Sequence, residues 1–334
     1  MAKERRLVRL LVWSLQKQPA VGKLLLKTLV QFDDIFHLEP HPKIIYLTND
    51  LGYRLPIICK LYNGMKIEVL WNETTVGQRI YKNGCFEKDT VELVSKLLQP
   101  GMVFVDGGAH CGQYTLVASK CVGESGEVHS FEPDPDTFAM LSDSIKLNGL
   151  KNVYLNQLAL SDRIEVKELY LAMANNIGGN SLYEPENYSG DICTVKCTTL
   201  DSYLKQHKIS KIDLLKLDIE GYEMNVLESS QVFKDGDSQP FIVVEFNESN
   251  QQKIGKSCQE MANFLRKCGY KLCLIGKRHS GGIDYSRVGL DALFNVLAVP
   301  DNKITFVEKN LAVQFSDLPL DNTDGLALKV LKLA

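Results

Sequence analysis

Val103-Phe104-Val105-Asp106-Gly107-Gly108-Ala109-His110-Cys111-Gly112 decides how this chain is read. An apolar run ends in a carboxylate, and a glycine-containing turn then opens a helix. Further along, a second apolar run ends in Ser130-Phe131-Glu132-Pro133. Two such units begin a doubly wound sheet, which holds a nucleoside-like cofactor outside the ends of its first strands. A dinucleotide fingerprint would need Gly-x-Gly-x-x-Gly, so that a helix N-terminus faces a pyrophosphate. The spacing from Asp106 to Gly112 is Asp-x-Gly-x-x-x-Gly, with a carboxylate where phosphate would be repelled. The pattern speaks against a dehydrogenase and favours a cationic cofactor, of which S-adenosylmethionine is the common one.

The chain has 334 residues, enough for a sizeable core in one or two domains. A net charge of -3 leaves no general electrostatic footprint for nucleic acid, so no nucleic-acid partner is expected. The nine cysteines are odd in number and form no Cys-x-x-Cys pair, which suggests packed thiols in a reduced, cytoplasmic interior. No apolar run reaches the ~18 residues that a membrane span needs. Between Arg5 and Phe32 there is no acidic residue, and basic residues interrupt leucine-rich segments on both sides of Pro19. Two basic amphipathic helices follow from this, either packed on the protein or a second copy, or lying on a membrane surface.

Four regions are expected. Residues 1–38 form the basic helical segment. Residues 39–86 form a small β-rich meander from Lys43-Ile44-Ile45-Tyr46-Leu47, Tyr53-Arg54-Leu55-Pro56-Ile57-Ile58 and Lys66-Ile67-Glu68-Val69-Leu70. Residues 87–300 alternate strand and helix, and 301–334 is a tail without a readable pattern. Within the alternating region, strands are expected at 102–107, 127–132, 153–160, 212–217, 241–244, 271–275 and 292–299. Asp136 is the expected N-cap of the helix ending at Asn148-Gly149, and a polar insertion at 173–190 sits between strand-like stretches 165–172 and 192–199.

Acids recur at four strand ends: Asp106, Glu132, Asp218 and Glu245. That is where an open α/β sheet binds its ligand. Glu132 suits two vicinal ribose hydroxyls, because a carboxylate can accept both. Gly108 and Gly112 allow close backbone approach to the cofactor. Asp106 orders the loop or favours the cofactor's positive charge, and Ser161-Asp162 lies where an adenine amino group could donate.

With those residues in view, the chain resembles the FkbM-type class I methyltransferases. The resemblance covers roughly residues 84 to 248 and runs through Gly84-Cys85-Phe86-Glu87, the Asp106–Gly112 loop, Phe131-Glu132-Pro133 and Leu147-Asn148-Gly149-Leu150. It continues through Ala159-Leu160-Ser161-Asp162, Thr199-Leu200-Asp201, Leu215-Lys216-Leu217-Asp218-Ile219-Glu220-Gly221-Tyr222-Glu223 and Val244-Glu245. His110 departs from it, since the family usually has Asn there; a steric substitution or a catalytic histidine are the two readings. The resemblance implies a Rossmann-like α/β fold with a seven-stranded, mostly parallel sheet, helices on both faces, and the N-terminal helical and β-meander extension added to it. It implies S-adenosylmethionine as cofactor, contacted by Glu87, Asp106, Gly108, Ala109, His110, Gly112, Tyr114, Thr115, Glu132, Pro133, Ser161, Asp162 and Asp218. It implies O-methylation of a sugar, glycolipid or natural-product hydroxyl, a small-molecule or glycan acceptor.

An alcohol is a weak nucleophile, so a general base is expected, worth about 100- to 10,000-fold. Asp218 or Glu220 is the expected base; Asp218 could instead bind the cofactor or cap a helix, and Glu223 could pair with a lysine. His279 is a second candidate base. The acids could hold a divalent cation, but no histidine-rich ligand set supports one, and no metal is expected. Tyr183, Tyr188 and Tyr222 could stack on a sugar ring. Two other readings stay open: N-methylation of a peptide or protein, which needs less of a base, and a non-catalytic cofactor-binding scaffold.

Overall fold

The computed structural model describes residues 2–31, 48, 54–173, 176–184, 188–234, 236, 238–276, 293–317, 320–321 and 328–331. Helices α1 (Ala2–Lys17) and α2 (Pro19–Gln31) precede an antiparallel pair, β1 (Pro56–Lys60) and β2 (Lys66–Leu70). Then come α3 (Gly77–Asn83), α4 (Lys88–Leu97), β3 (Val103–Gly107), α5 (Gln113–Val122), β4 (Glu127–Phe131), α6 (Pro135–Asn148) and β5 (Val153–Asn156). Strands β6 (Ala159–Leu160), β7 (Glu165–Ala172) and β8 (Tyr188–Thr198) follow, with α7 (Leu200–His207), β9 (Leu214–Leu217), α8 (Glu223–Ser229) and β10 (Phe241–Asn247). The chain continues through α9 (Glu248–Lys253), α10 (Cys258–Lys267), β11 (Tyr270–Ile275), β12 (Leu293–Pro300), α11 (Ile304–Leu311), β13 (Leu320–Asp321) and β14 (Leu328–Leu331).

The main sheet runs β13-β14-β11-β12-β10-β9-β3-β4-β5. Seven adjacent strands, β11-β12-β10-β9-β3-β4-β5, are those of the expected α/β sheet, parallel except for β12, which is antiparallel to both β10 and β11. The tail widens it by β14, parallel to β11, and β13. Both faces are covered. Phe104, Leu214 and Val243 belong to one apolar core, while Val105, Leu215, Leu217, Ile242 and Val244 belong to the other. This two-sided burial explains why β9 is apolar except for Lys216 and why β10 is apolar from Phe241 to Val244. Strand order reverses between β3 and β9, so the crevice opens where β3, β4 and β9 end.

Several expectations change in detail. The stretch 153–160 is not one strand: β5 joins the main sheet, and β6 leaves it to pair with β8 in a separate sheet β6-β8-β7. The cap of α6 is Asp134 rather than Asp136, because Pro135 occupies the first turn and the Asp134 carboxylate accepts from the amides of Asp136 and Thr137. The 39–86 region also contains α3, whose start Glu73 pins by accepting from the amides of Thr75, Val76 and Gly77. The expected strand at 43–47 and His279 lie outside the described residues.

Leu11, Leu15 and Leu26 of the N-terminal helices are buried in the first core, and Leu10, Trp13 and Leu24 remain exposed. A Cβ on Gly22 would sit 2.6 Å from the amide nitrogen of Leu15, so glycine permits the close contact of α1 with α2. All nine cysteines are free thiols. No helix among the described residues is long and apolar enough to cross a membrane.

Candidate active site

A cavity of about 340 Å³ opens at the strand reversal. Glu87, Gly108, Ala109, His110, Tyr114, Glu132, Pro133, Asp218 and Glu220 line it. Asp106, Gly112, Thr115, Ser161 and Asp162 do not. Asp106 lies beneath the loop, fully buried, with one carboxylate oxygen accepting from the Thr115 hydroxyl at 2.6 Å. Thr115 in turn sits 2.7 Å from the Ser130 hydroxyl, linking β3, α5 and β4. Asp162 pairs with Arg163 at 2.9 Å and accepts from Ser161.

The glycine loop is tied to its neighbours on both sides. The amides of Gly108 and Ala109 donate to the Phe131 carbonyl at 3.1 and 2.9 Å, and the Asp218 amide donates to the Gly107 carbonyl at 3.1 Å. Gly108 has φ of +79°, and a Cβ there would lie 1.8 Å from the Asp218 carbonyl oxygen. The missing side chain therefore makes room for the backbone after β9, a tighter demand than the cofactor approach inferred from sequence.

Glu132 follows β4. One of its oxygens accepts from the His110 amide at 2.9 Å and the other from the Asp134 amide at 3.0 Å. Each oxygen keeps a further acceptor position for a ribose hydroxyl. Burial pushes the carboxyl up to about 8, against the pull of those two amides. Beside it, both ring nitrogens of His110 are buried without a hydrogen-bond partner among the described residues, on a backbone with φ of +51°. Burial holds this imidazole below its ordinary value, hence neutral.

The opposite end of the cavity is acidic. Lys216, whose side chain is 3% exposed, donates to Asp218 at 2.7 Å and lies over the Tyr114 ring at 4.6 Å. Burial alone would depress this ammonium, but Asp218, Asp106 and Glu87 around it hold it above the usual lysine range. Tyr114 donates to Glu87 at 2.8 Å. Glu220 stands on a left-handed backbone with φ of +52° and accepts from the Asn250 amide group at 2.9 Å. Burial, then the neighbouring Asp218 and Glu223, push Glu220 up to about 8. Burial, then the surrounding acids, hold Glu245 on β10 well above the usual carboxylate range.

Glu223 does not pair with a lysine. It accepts from the amides of Ile219 and Gly221 and from Gln251, so it braces the turn that carries Glu220. Ser181 completes that brace by donating to the Glu220 carbonyl at 2.9 Å. Tyr183 packs against Gly221, and Lys167 bonds to the Tyr222 hydroxyl. Tyr188 opens β8 and, with Tyr183 and Tyr222, is absent from the cavity lining.

Residues not picked out from sequence also surround the cavity. Lys216 is one, a lone cation within an apolar strand. The 173–190 insertion supplies another group: Asn176, Ile177, Gly178, Asn180 and Leu182 cover the opening. The Thr75 hydroxyl donates to Asn176 at 3.0 Å, so the segment before α3 meets this insertion over the cavity.

The methyltransferase FkbM domain model matches residues 106–272. A curated protein named Methyltransferase 1, from Beauveria bassiana (strain ARSEF 2860), is 26% identical over 142 residues, covering 37% of this chain and 56% of that protein. The match thus spans little more than half of that relative's length. Among solved structures, a methyltransferase FkbM from Methylobacillus flagellatus KT aligns with TM-score 0.40 and 12% identity, over 63% of this chain and 50% of that one. The TYW2 protein of M. jannaschii, solved in complex with AdoMet, aligns with TM-score 0.37 and 14% identity, over 74% of this chain and 85% of that one.

Proposed function

This chain belongs to the FkbM methyltransferase family, and from that premise we propose that it methylates a hydroxyl on a sugar, glycolipid or natural product, using S-adenosylmethionine. The observation that carries this reading is one cavity with Glu132 at one end and Asp218 with Glu220 at the other. S-adenosylmethionine supplies, when bound, a methyl group already activated on a sulfonium.

The residues present fit such a cofactor. Glu132 has acceptor capacity left for the ribose diol, and the ring nitrogens of His110 beside it can take a further polar contact. The many acids suit a ligand bearing positive charge. On the acceptor side, Glu220 is the proton acceptor of choice. Its raised value lies near neutrality, where a base combines sufficient basicity with sufficient ionisation. Asp218 is committed to Lys216, which fixes its direction and leaves Glu220 closer to a free base. The cover formed by Asn176–Gly178 and Thr75 excludes water and holds the acceptor in line, a contribution of at most roughly 7–11 kcal/mol.

The test is incubation of the whole protein with methyl-labelled cofactor and fractionated extracts. Label should enter a base-stable, hydroxyl-bearing small molecule or glycan, and Glu220→Gln should slow it ~100-fold or more while leaving cofactor affinity unchanged. Label entering a peptide amine, with the Gln variant near wild type, would transfer the reading to N-methylation. Cofactor binding without turnover on any fraction would leave the scaffold reading instead.

A further inference from the structure

We propose that Asp218, Glu220 and Glu245 form a site for a hard divalent cation, of the magnesium or manganese kind, at the acidic end of the cavity. The purpose assigned to the ion rests on the methyl-transfer reading; the site itself does not. The three carboxylates come from the ends of adjacent parallel strands, Asp218 and Glu220 after β9 and Glu245 on β10. One oxygen of each lies within 4.8 Å of the other two. Around a magnesium ion, oxygens at about 2.1 Å from the metal stand roughly 3–4 Å from one another. Small side-chain rotations therefore close the set.

A second observation points to a ligand. Glu245 is only 8% exposed, and its Oε2 has no hydrogen-bond partner among the described residues, although it lines the cavity. Buried polar atoms are almost always satisfied, and an orphaned oxygen on a carboxylate grouped with two others is what a cation would satisfy. The nearby Lys216 ammonium is engaged by Asp218 and by the Tyr114 ring. Glu223, the fourth acid of the group, is excluded because backbone amides and Gln251 occupy its oxygens. The want of histidines does not count against a metal here, because a hard cation prefers oxygen donors throughout.

Three carboxylate oxygens leave about three positions of an octahedral ion for other donors. Those positions face the cavity, where two vicinal hydroxyl oxygens of a sugar or catechol-like diol fit. A hydroxyl held there becomes a stronger acid; its proton passes to the carboxylate oxygen of Glu220 that does not hold the ion, and the freed oxygen then takes the methyl group as the sulfonium's carbon–sulfur bond breaks.

The experiment is manganese titration of the full chain, without cofactor or acceptor, read by the loss of free-ion electron paramagnetic resonance signal. One manganese ion per chain should bind, magnesium should compete for it, and both Glu245→Gln and Glu220→Gln should weaken binding at least 10-fold. Each variant should still bind S-adenosylmethionine as wild type does, which confirms that it is folded. Absence of stoichiometric binding, or binding as tight as wild type in either Gln variant, overturns the site. Metal binding without any labelled acceptor would uphold the site and defeat the methyl-transfer reading. Methyl transfer indifferent to chelators in a protein that binds no manganese would do the opposite.

Discussion

The Lys216 ammonium and the Asp218 carboxylate, two residues apart and so on one face of the chain, meet at 2.7 Å beside Leu217, the last residue of β9. This ion pair holds together the acidic end of the cavity, because Asp106 and Glu87 also act on the same ammonium. Removing one member of a buried pair leaves an uncompensated charge, at a cost of about 3–5 kcal/mol. Lys216→Met should therefore lower the unfolding free energy by about that amount and abolish transfer. Asp218→Asn should cost less, since Lys216 keeps Asp106 and Glu87. Chemical denaturation of the two variants side by side checks the order.

Glu132 makes cofactor binding depend on pH. Its carboxyl stands at about 8 in the free protein because of burial. Two ribose hydroxyls donating to it favour the ionised form, so the bound value falls and binding expels a proton. Affinity should consequently rise from pH 6 toward pH 8, by up to about tenfold per unit, and level off above that. Calorimetry in buffers of different ionisation enthalpy should reveal the released proton. Glu132→Gln should bind weakly with a flat profile, whereas an equally steep profile in that variant would remove Glu132 from the ribose contact.

Gly108 and Gly149 offer a matched pair of substitutions. Both have positive φ, +79° and +63°, so alanine meets the left-handed penalty of about 1–2 kcal/mol at each. Only at Gly108 does the new Cβ also strike backbone, 1.8 Å from the Asp218 carbonyl oxygen, while nothing lies within 4 Å at Gly149, the left-handed cap that ends α6. Gly149→Ala should melt slightly early and bind cofactor normally. Gly108→Ala should lose several kcal/mol, or shift β3 against β9 and lose binding altogether. Equal melting points would show that the loop relaxes freely.

Much of this arrangement is legible in the order of residues alone, for a physical reason. Strands buried on both faces read as apolar runs, and the first polar residue after each run marks its carboxyl end. Glu132, Asp218 and Glu245 are visible in that way, as is the glycine loop. Lys216 is equally visible, a single cation in Leu214-Leu215-Lys216-Leu217, and a buried lysine at that position demands carboxylate partners. The break after Asn156 is not legible, because Leu158, Ala159 and Leu160 continue the apolar character while the chain changes sheets. Nor is the cover. Asn176–Gly178 has no periodicity, and the β7–β8 pairing and the bond from Thr75, 101 residues away, place it over the cavity. The tail is unreadable for a similar reason: β13 and β14 are too short to show alternation, β14 finding its partner in the edge of β11 and β13 in β14.

Glu223 supplies the test that separates support of the base from the base itself. It is 1% exposed, and its oxygens accept from the amides of Ile219 and Gly221 and from the Gln251 amide group. Glu223→Gln places a donor where only donors already point, so at least one buried amide loses its partner, at a cost of about 1–3 kcal/mol. The turn through Glu220 and Gly221 then loses its anchor, although Ser181 still holds the Glu220 carbonyl. The expected result is a lower melting point, near-normal cofactor affinity because Glu132 lies at the other end, and a fall in kcat larger than any rise in KM. The pH dependence of the residual rate should keep its wild-type shape, since Glu220 still takes the proton. A pH profile that changes shape in this variant would make Glu223 itself part of the proton transfer.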